Sequence, residues 1–243
     1  MLLSLLALAV APAAVIIFFI YSKDKYDREP LKNLIIAFLL GMASIVPAIF
    51  LESYLQPVLH SYFPVHSFAY YSIFAFLVVA LSEELCKFAM LRIYAYPHRD
   101  FNEPLDGIIY SVMISMGFAT LENIDYVLKY GFMTGILRMF LSVPAHAAFG
   151  AIMGYHAGVA KFARGYGGGH LLKGLLLAVF FHGAFDFFLF LQDSPQVKQY
   201  VSNTLLLGGA LISYWIAIRL SLRSIRLHQE LSRAVYTKKE GML

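Results

Sequence analysis

Two adjacent carboxylates followed one helical turn later by an amine, Glu83-Glu84-Leu85-Cys86-Lys87, stand inside an otherwise apolar stretch. An ionisable side chain at the centre of a bilayer costs about 2.5–3.5 kcal/mol on insertion scales, so a segment that carries three of them is using them. On a helix Glu83 and Glu84 point about 100° apart, whereas Lys87 lies one turn on from both and can pair with either. One glutamate is then neutralised while the other stays free to titrate. Further along come Glu122 with Asn123, then His146, then His182 with Asp186 one turn later. Any one of these reads as a polar group satisfied in a helix interface, and the Glu–Lys pair alone reads as a lock between two helices. Together they are the parts of a hydrolytic site. The carboxylates activate water, donor groups steady an oxyanion, and Asp186 orients His182.

Two mechanisms fit that set. In the first, Glu122, His146 and His182 hold a zinc ion with one position open, and Glu84 is the base. In the second no metal is present, a glutamate activates water unaided, and Asn123 with one histidine holds the oxyanion. The pattern H-E-x-x-H is absent, so either site is assembled across separate helices.

The elements that position these residues follow from composition. Of 243 residues, 60% are hydrophobic and 14% charged, and the mean hydropathy is +0.68. An ordinary soluble domain carries about 25% charged residues. About 20 apolar residues in a helix cross a hydrocarbon core, and the runs near 1–21, 31–51, 67–92, 105–129, 134–160, 171–191 and 203–221 reach that length. The fold class is therefore all-α, a polytopic transmembrane helix bundle of about seven spans. Such long apolar runs exclude an outer-membrane barrel. Residues 1–222 read as one transmembrane domain and 223–243 as a basic tail lying in solvent or on the membrane surface. The first twenty residues lack a basic start and a small-residue cleavage site, so they read as a retained span. Gly165–Gly169 reads as a flexible connector, and Gly150 with Gly154 as a close-packing pair. Lone Cys86 is a packing residue.

The net charge of +4 is scattered at the ends of apolar runs and forms no patch for nucleic acid. It reports topology instead. The connections after spans one, three and five and the tail hold fifteen Lys and Arg residues, against Lys129, Arg138 and Lys198 on the other side. Short positively charged loops stay in the cytoplasm, which places the N-terminus outside and the C-terminus inside. At 1.5 Å per residue, Glu83 and His182 then lie about 14 Å from the cytoplasmic ends of their spans and Glu84 about 12 Å. His146, counted from the outer side, leaves about 12 Å to the inner surface. Those four share one level. Glu122 falls about 27 Å from Pro104, unless span four begins below the surface.

The ordered motifs Glu83-Glu84-x-x-Lys87, Phe118-x-x-x-Glu122-Asn123, Pro144-x-His146-x-x-x-Gly150 and His182-x-x-x-Asp186 resemble those of the PrsW family of bacterial intramembrane proteases, distant relatives of the CAAX prenyl endopeptidases. Arg28-Glu29-Pro30 is also similar, and the resemblance covers about residues 20–190. It implies a multi-pass protein of the bacterial plasma membrane that makes the first cut in single-pass membrane proteins such as anti-sigma factors. It further implies that Glu83, Glu84 and His182 are essential, joined by Glu122, His146 and Asp186. With or without zinc, the partners are then a membrane-protein substrate and the lipid bilayer. The sequence does not give the oligomeric state.

Two other functions use buried acids and histidines. A transporter would show inverted repeats between its halves, and none is visible. A non-catalytic scaffold would keep the polar residues only as helix glue, which gives no reason for a base, two histidines and an orienting acid at one depth.

Overall fold

The structure is a computed structural model, and it describes residues 2–162 and 167–240. The described residues form helices and no strands. We number the long ones α1 (Leu2–Tyr21), α2 (Leu31–Tyr62), α3 (a helical run from Phe68 to Ala95), α4 (Pro104–Tyr130), α5 (Phe132–Phe162), α6 (Gly168–Phe190) and α7 (Asn203–Glu240). Six have the length and apolarity to cross a membrane. The seventh, α3, is helical throughout but is divided by two π-helical stretches, and it carries Glu83, Glu84 and Lys87. Phe18, Phe50, Ile93, Leu205 and Trp215 project from the outside of the bundle, where acyl chains replace water.

Helix α4 is the axis. Its residues from Pro104 to Thr120 are all buried, packed against α1, α2, α5 and α7. Missing side chains allow such close crossings. A Cβ on Gly41 would strike the Ile114 backbone, one on Gly117 would strike Phe38, and one on Gly154 would strike Gly107. Gly150 likewise sits against Ser115, so the small pair of α5 does face a neighbouring helix. The N-terminus of α4 is fixed by a capping box between Glu103 and Asp106 with Pro104 in the first turn. Its C-terminus ends at Gly131, whose φ of 85° stops the helix.

Several sequence boundaries shift. Span two does not stop at residue 51, because the apolar residues Leu55, Val58 and Leu59 carry α2 past Glu52 to Tyr62. Helix α7 runs unbroken through residue 222. Beyond it, Ser224, Ile225, His228 and Ser232 are buried, the Ser232 hydroxyl accepts a hydrogen bond from the Leu105 amide at 3.4 Å, and His228 stacks on Tyr155. Arg223, Arg226 and Arg233 face outward. Part of the connector Gly165–Gly169 lies outside the described residues, and Gly168 and Gly169 open α6.

Helix α3 is not uniform. Phe74–Ala80 and Leu91–Ala95 are π-helical, and the α-helical turns between them, Leu81–Met90, carry all three ionisable residues. Such widened turns are frequent at functional sites, because the extra residue rotates the following side chains.

At the α4 N-terminal end, the α1–α2 connection is tied down by polar contacts. The Glu29 amide donates to Asp24 Oδ2 at 2.7 Å, the Tyr110 hydroxyl donates to Glu29, and Asn33 donates to Asp100 at 2.7 Å. Burial, aided by the nearby charges of Asp24 and Asp100, pushes the Glu29 carboxyl up to about 8 from an ordinary 4.5; burial likewise pushes Asp24 up to about 6. The fold therefore favours the protonated acids. Their stabilising effect is complete below the unfolded value of 4.5 and is lost as the pH rises through 8. A Glu29→Gln variant, which mimics the protonated form, is expected to gain thermal midpoint relative to the parent between pH 5 and pH 8.5. Midpoints differing by the same amount at both pH values would contradict this reading.

Candidate active site

Helix α3 brings Glu83, Glu84 and Lys87 to the middle of the bundle, where they are 6%, 0% and 1% exposed. Facing them are His146 from α5 and His182 from α6, also buried. Lys87 pairs with both glutamates, not one. Its Nζ donates to Glu83 Oε2 at 3.0 Å, to Glu84 Oε1 at 2.8 Å and to His146 Nδ1 at 3.1 Å, and it lies 4.0 Å from the centre of the Phe118 ring. With Nδ1 accepting, the other ring nitrogen of His146 donates to Glu122 Oε2 at 2.9 Å.

The two histidines are held by different acids. Nδ1 of His182 lies 2.9 Å from Glu84 Oε1, and its Nε2 lies 3.2 Å from Asp186 and 4.0 Å from Glu83. Phe149 stacks on the His182 ring at 5.1 Å, and the two imidazoles meet edge to face at 5.2 Å. These rings stop either histidine from swinging away.

Four residues offer one ligand atom each within 4.8 Å of one another: Glu83, Glu84, His146 and His182. The structure does not bring Glu122 into that group. Its carboxylate is taken by the Arg138 guanidinium at 2.7 Å and by His146, on the far side of the imidazole from the group. Asn123 is also turned elsewhere, donating to the Ala9 carbonyl at 2.8 Å and accepting from Arg138 at 2.9 Å. Asp186 stands beside His182 as its spacing suggests. Glu122 does reach the level of the other residues. The N-terminal end of α4 is a polar cluster that belongs outside the hydrocarbon, so counting depth from Pro104 overstates it.

Two nearby groups were not visible as site residues in the sequence. Glu52 lines the cavity in front of the cluster, and so does Arg138. Glu52 looks like a loop residue if span two ends at 51, and Arg138 looks like one more charge at a span end. The signal for Glu52 is the apolar run that resumes after it.

The cavity has a volume of about 540 Å³ and reaches from Glu83, His146 and His182 to Lys129 and Tyr130 at the C-terminal end of α4. Glu83 forms part of its wall. Glu84 does not, and its Oε2 is buried without a hydrogen-bond partner. An orphaned carboxylate oxygen among two imidazoles and a second carboxylate is a donor set that suits a divalent cation. The ammonium of Lys87, bonded to three of the four residues, shows that the set accommodates positive charge.

Comparison with known proteins points the same way. Residues 29–217 match the profile described as the PrsW family of intramembrane metalloproteases. A Protease PrsW of Geobacillus kaustophilus is 40% identical over 190 residues, 78% of this chain and 81% of the relative. One from Halalkalibacterium halodurans is 33% identical over 230 residues, 95% of this chain and 99% of the relative, and one from Bacillus subtilis is 34% identical over 188 residues, 76% and 83%. No solved structure matches the chain.

Proposed function

The chain belongs to the PrsW family of intramembrane metalloproteases, and from that membership we propose that it cuts single-pass membrane proteins of the anti-sigma-factor kind at the Glu83–Glu84–His146–His182 cluster. That it is a multi-pass endopeptidase of a bacterial membrane follows from the family and the helices. The observation that carries the site assignment is the convergence of four buried ligand-capable residues from three helices at one end of a cavity.

The roles divide by position. Glu84, His146 and His182 would hold a metal, since a catalytic zinc takes three protein ligands and leaves one position open. Such a metal supplies Lewis-acid polarisation of the scissile carbonyl. Glu83 is the member of the acidic pair that meets the cavity, so it accepts the proton of the attacking water and returns it to the leaving amine. Asp186 holds His182, and Glu122, itself held by Arg138, holds His146. Phe118 and Phe149 keep this end of the cavity apolar, which strengthens every charge interaction inside it.

Protein purified without a metal-binding tag is expected to hold about one zinc per chain, to lose cleavage and thermal stability with a strong chelator, and to regain both with zinc. Active protein with far less than one metal per chain, indifferent to the chelator, would leave only the glutamate mechanism.

The charge count supports an outer N-terminus and an inner C-terminus. In that orientation the end of the cavity lined by Lys129 and Tyr130 is the outer one, which would give water and the outer part of a substrate a route to a site nearer the inner surface. A reporter fused after Leu243 is expected to be cytoplasmic and one inserted near Ser61 external. The reverse pattern would remove the outward-facing reading.

A further inference from the structure

The charged side chains that line the cavity are paired, with one exception. Glu83 is held by Lys87 at 3.0 Å, Glu122 by Arg138 at 2.7 Å, Asp125 by Lys129 at 2.8 Å and Asp186 by His182 at 3.2 Å. Glu52 lines the same cavity, yet among the described residues its carboxylate has no hydrogen bond or ion pair. It shares that lining with Glu83, Glu122 and His182. Ile45 and Ile49, on the same face of α2, complete that wall.

A carboxylate among apolar residues at membrane depth is costly unless something pairs with it. Every other acid of this wall has its partner built in. The cavity is where substrate must lie, and a cationic side chain entering it would find in Glu52 the one acid of the wall without a built-in partner. We infer that Glu52 is a specificity-determining residue that receives a Lys or Arg side chain of the substrate close to the scissile bond. The inference rests on the protease reading of the cavity. A lysine ammonium or arginine fork is the donor that completes the pairing pattern, and a substrate acid there would meet an unpaired carboxylate.

The test uses the full-length protein and a set of single-span peptides that differ only by Lys, Gln or Glu at successive positions along the outer half of the span. Cleavage rate and equilibrium binding are both measured, and the Lys-to-Glu ratio is taken within each protein variant, so a loss of overall activity does not enter. At one position the parent is expected to favour Lys over Glu by about tenfold or more, as for other desolvated charge pairs. Glu52→Gln is expected to bring that ratio near one, and Glu52→Lys to reverse it, which misfolding cannot imitate. A ratio near one at every position in the parent, or a preference unchanged in Glu52→Gln, would overturn the inference. The binding ratio judges Glu52 even if no peptide is cut, whereas absence of cleavage of every peptide by the parent counts against the protease reading.

Discussion

Glu84→Gln is expected to lower cleavage by at least about 10³-fold while leaving membrane insertion intact, because losing a preorganised charged group of a buried site has effects of about that size. The substitution keeps the volume of a fully buried side chain and removes its charge. Oε1 of Glu84 is shared by Lys87 and His182, so the same change also slackens the contact between α3 and α6. Glu83→Gln and His182→Ala are expected to do as much, the first by removing the carboxylate that meets the cavity. Asp186→Asn and Arg138→Gln act through the histidines and are expected to cost about 10–100-fold, the usual effect of losing a group that orients a ligand. Steady-state cleavage of one substrate by the five variants checks this order. Parent-level activity in Glu84→Gln would remove the site assignment.

The second large effect concerns stability. Lys87 neutralises two buried carboxylates at once. Removing one partner of a buried ion pair typically costs about 3–5 kcal/mol, because the remaining charge is left without compensation. Lys87→Met is therefore expected to unfold more readily in detergent by about that amount. It leaves free the carboxylate and imidazole atoms that Lys87 Nζ now occupies, so added zinc is expected to bind more tightly than in the parent and to restore much of the lost stability. A double variant with Glu84→Gln is expected to be less destabilised than the two single costs added together, since the second change removes a charge the first had stranded. Unfolding curves with and without zinc check all three. A fully stable Lys87→Met protein would mean that the ammonium is not what compensates Glu83 and Glu84.

The parts of this site that sequence alone revealed are those whose chemistry conflicts with their surroundings. Glu83, Glu84, Lys87, His146 and His182 are conspicuous because each interrupts an apolar run, and the cost of burying them demands a common partner. Helical spacing correctly placed Asp186 beside His182 and Lys87 beside the acidic pair. What spacing within one helix cannot fix is which side of an imidazole an acid from another helix will meet. Glu122 was assigned to the ligand group on its type and its order along the chain. The structure has it at the opposite ring nitrogen of His146, held there by an arginine that looked like a topology marker. Glu52 was missed for a related reason. Ending a span at its first charge hides any residue whose charge is functional, and α2 continues for three more turns beyond it. The tail shows the same limit, since the exposed arginines of α7 conceal the buried seam formed by Ser224, His228 and Ser232.

The central claim is that this cluster hydrolyses a peptide bond of a membrane-spanning chain. Its most direct test is to reconstitute the purified protein and one single-span substrate in liposomes, with the Glu84→Gln preparation alongside, and to weigh the products. The account predicts two fragments whose masses sum to the substrate plus one water, from a cut in the outer part of the span, formed by the parent and not by the variant. No fragments from the parent, or the same fragments from both preparations, would contradict it.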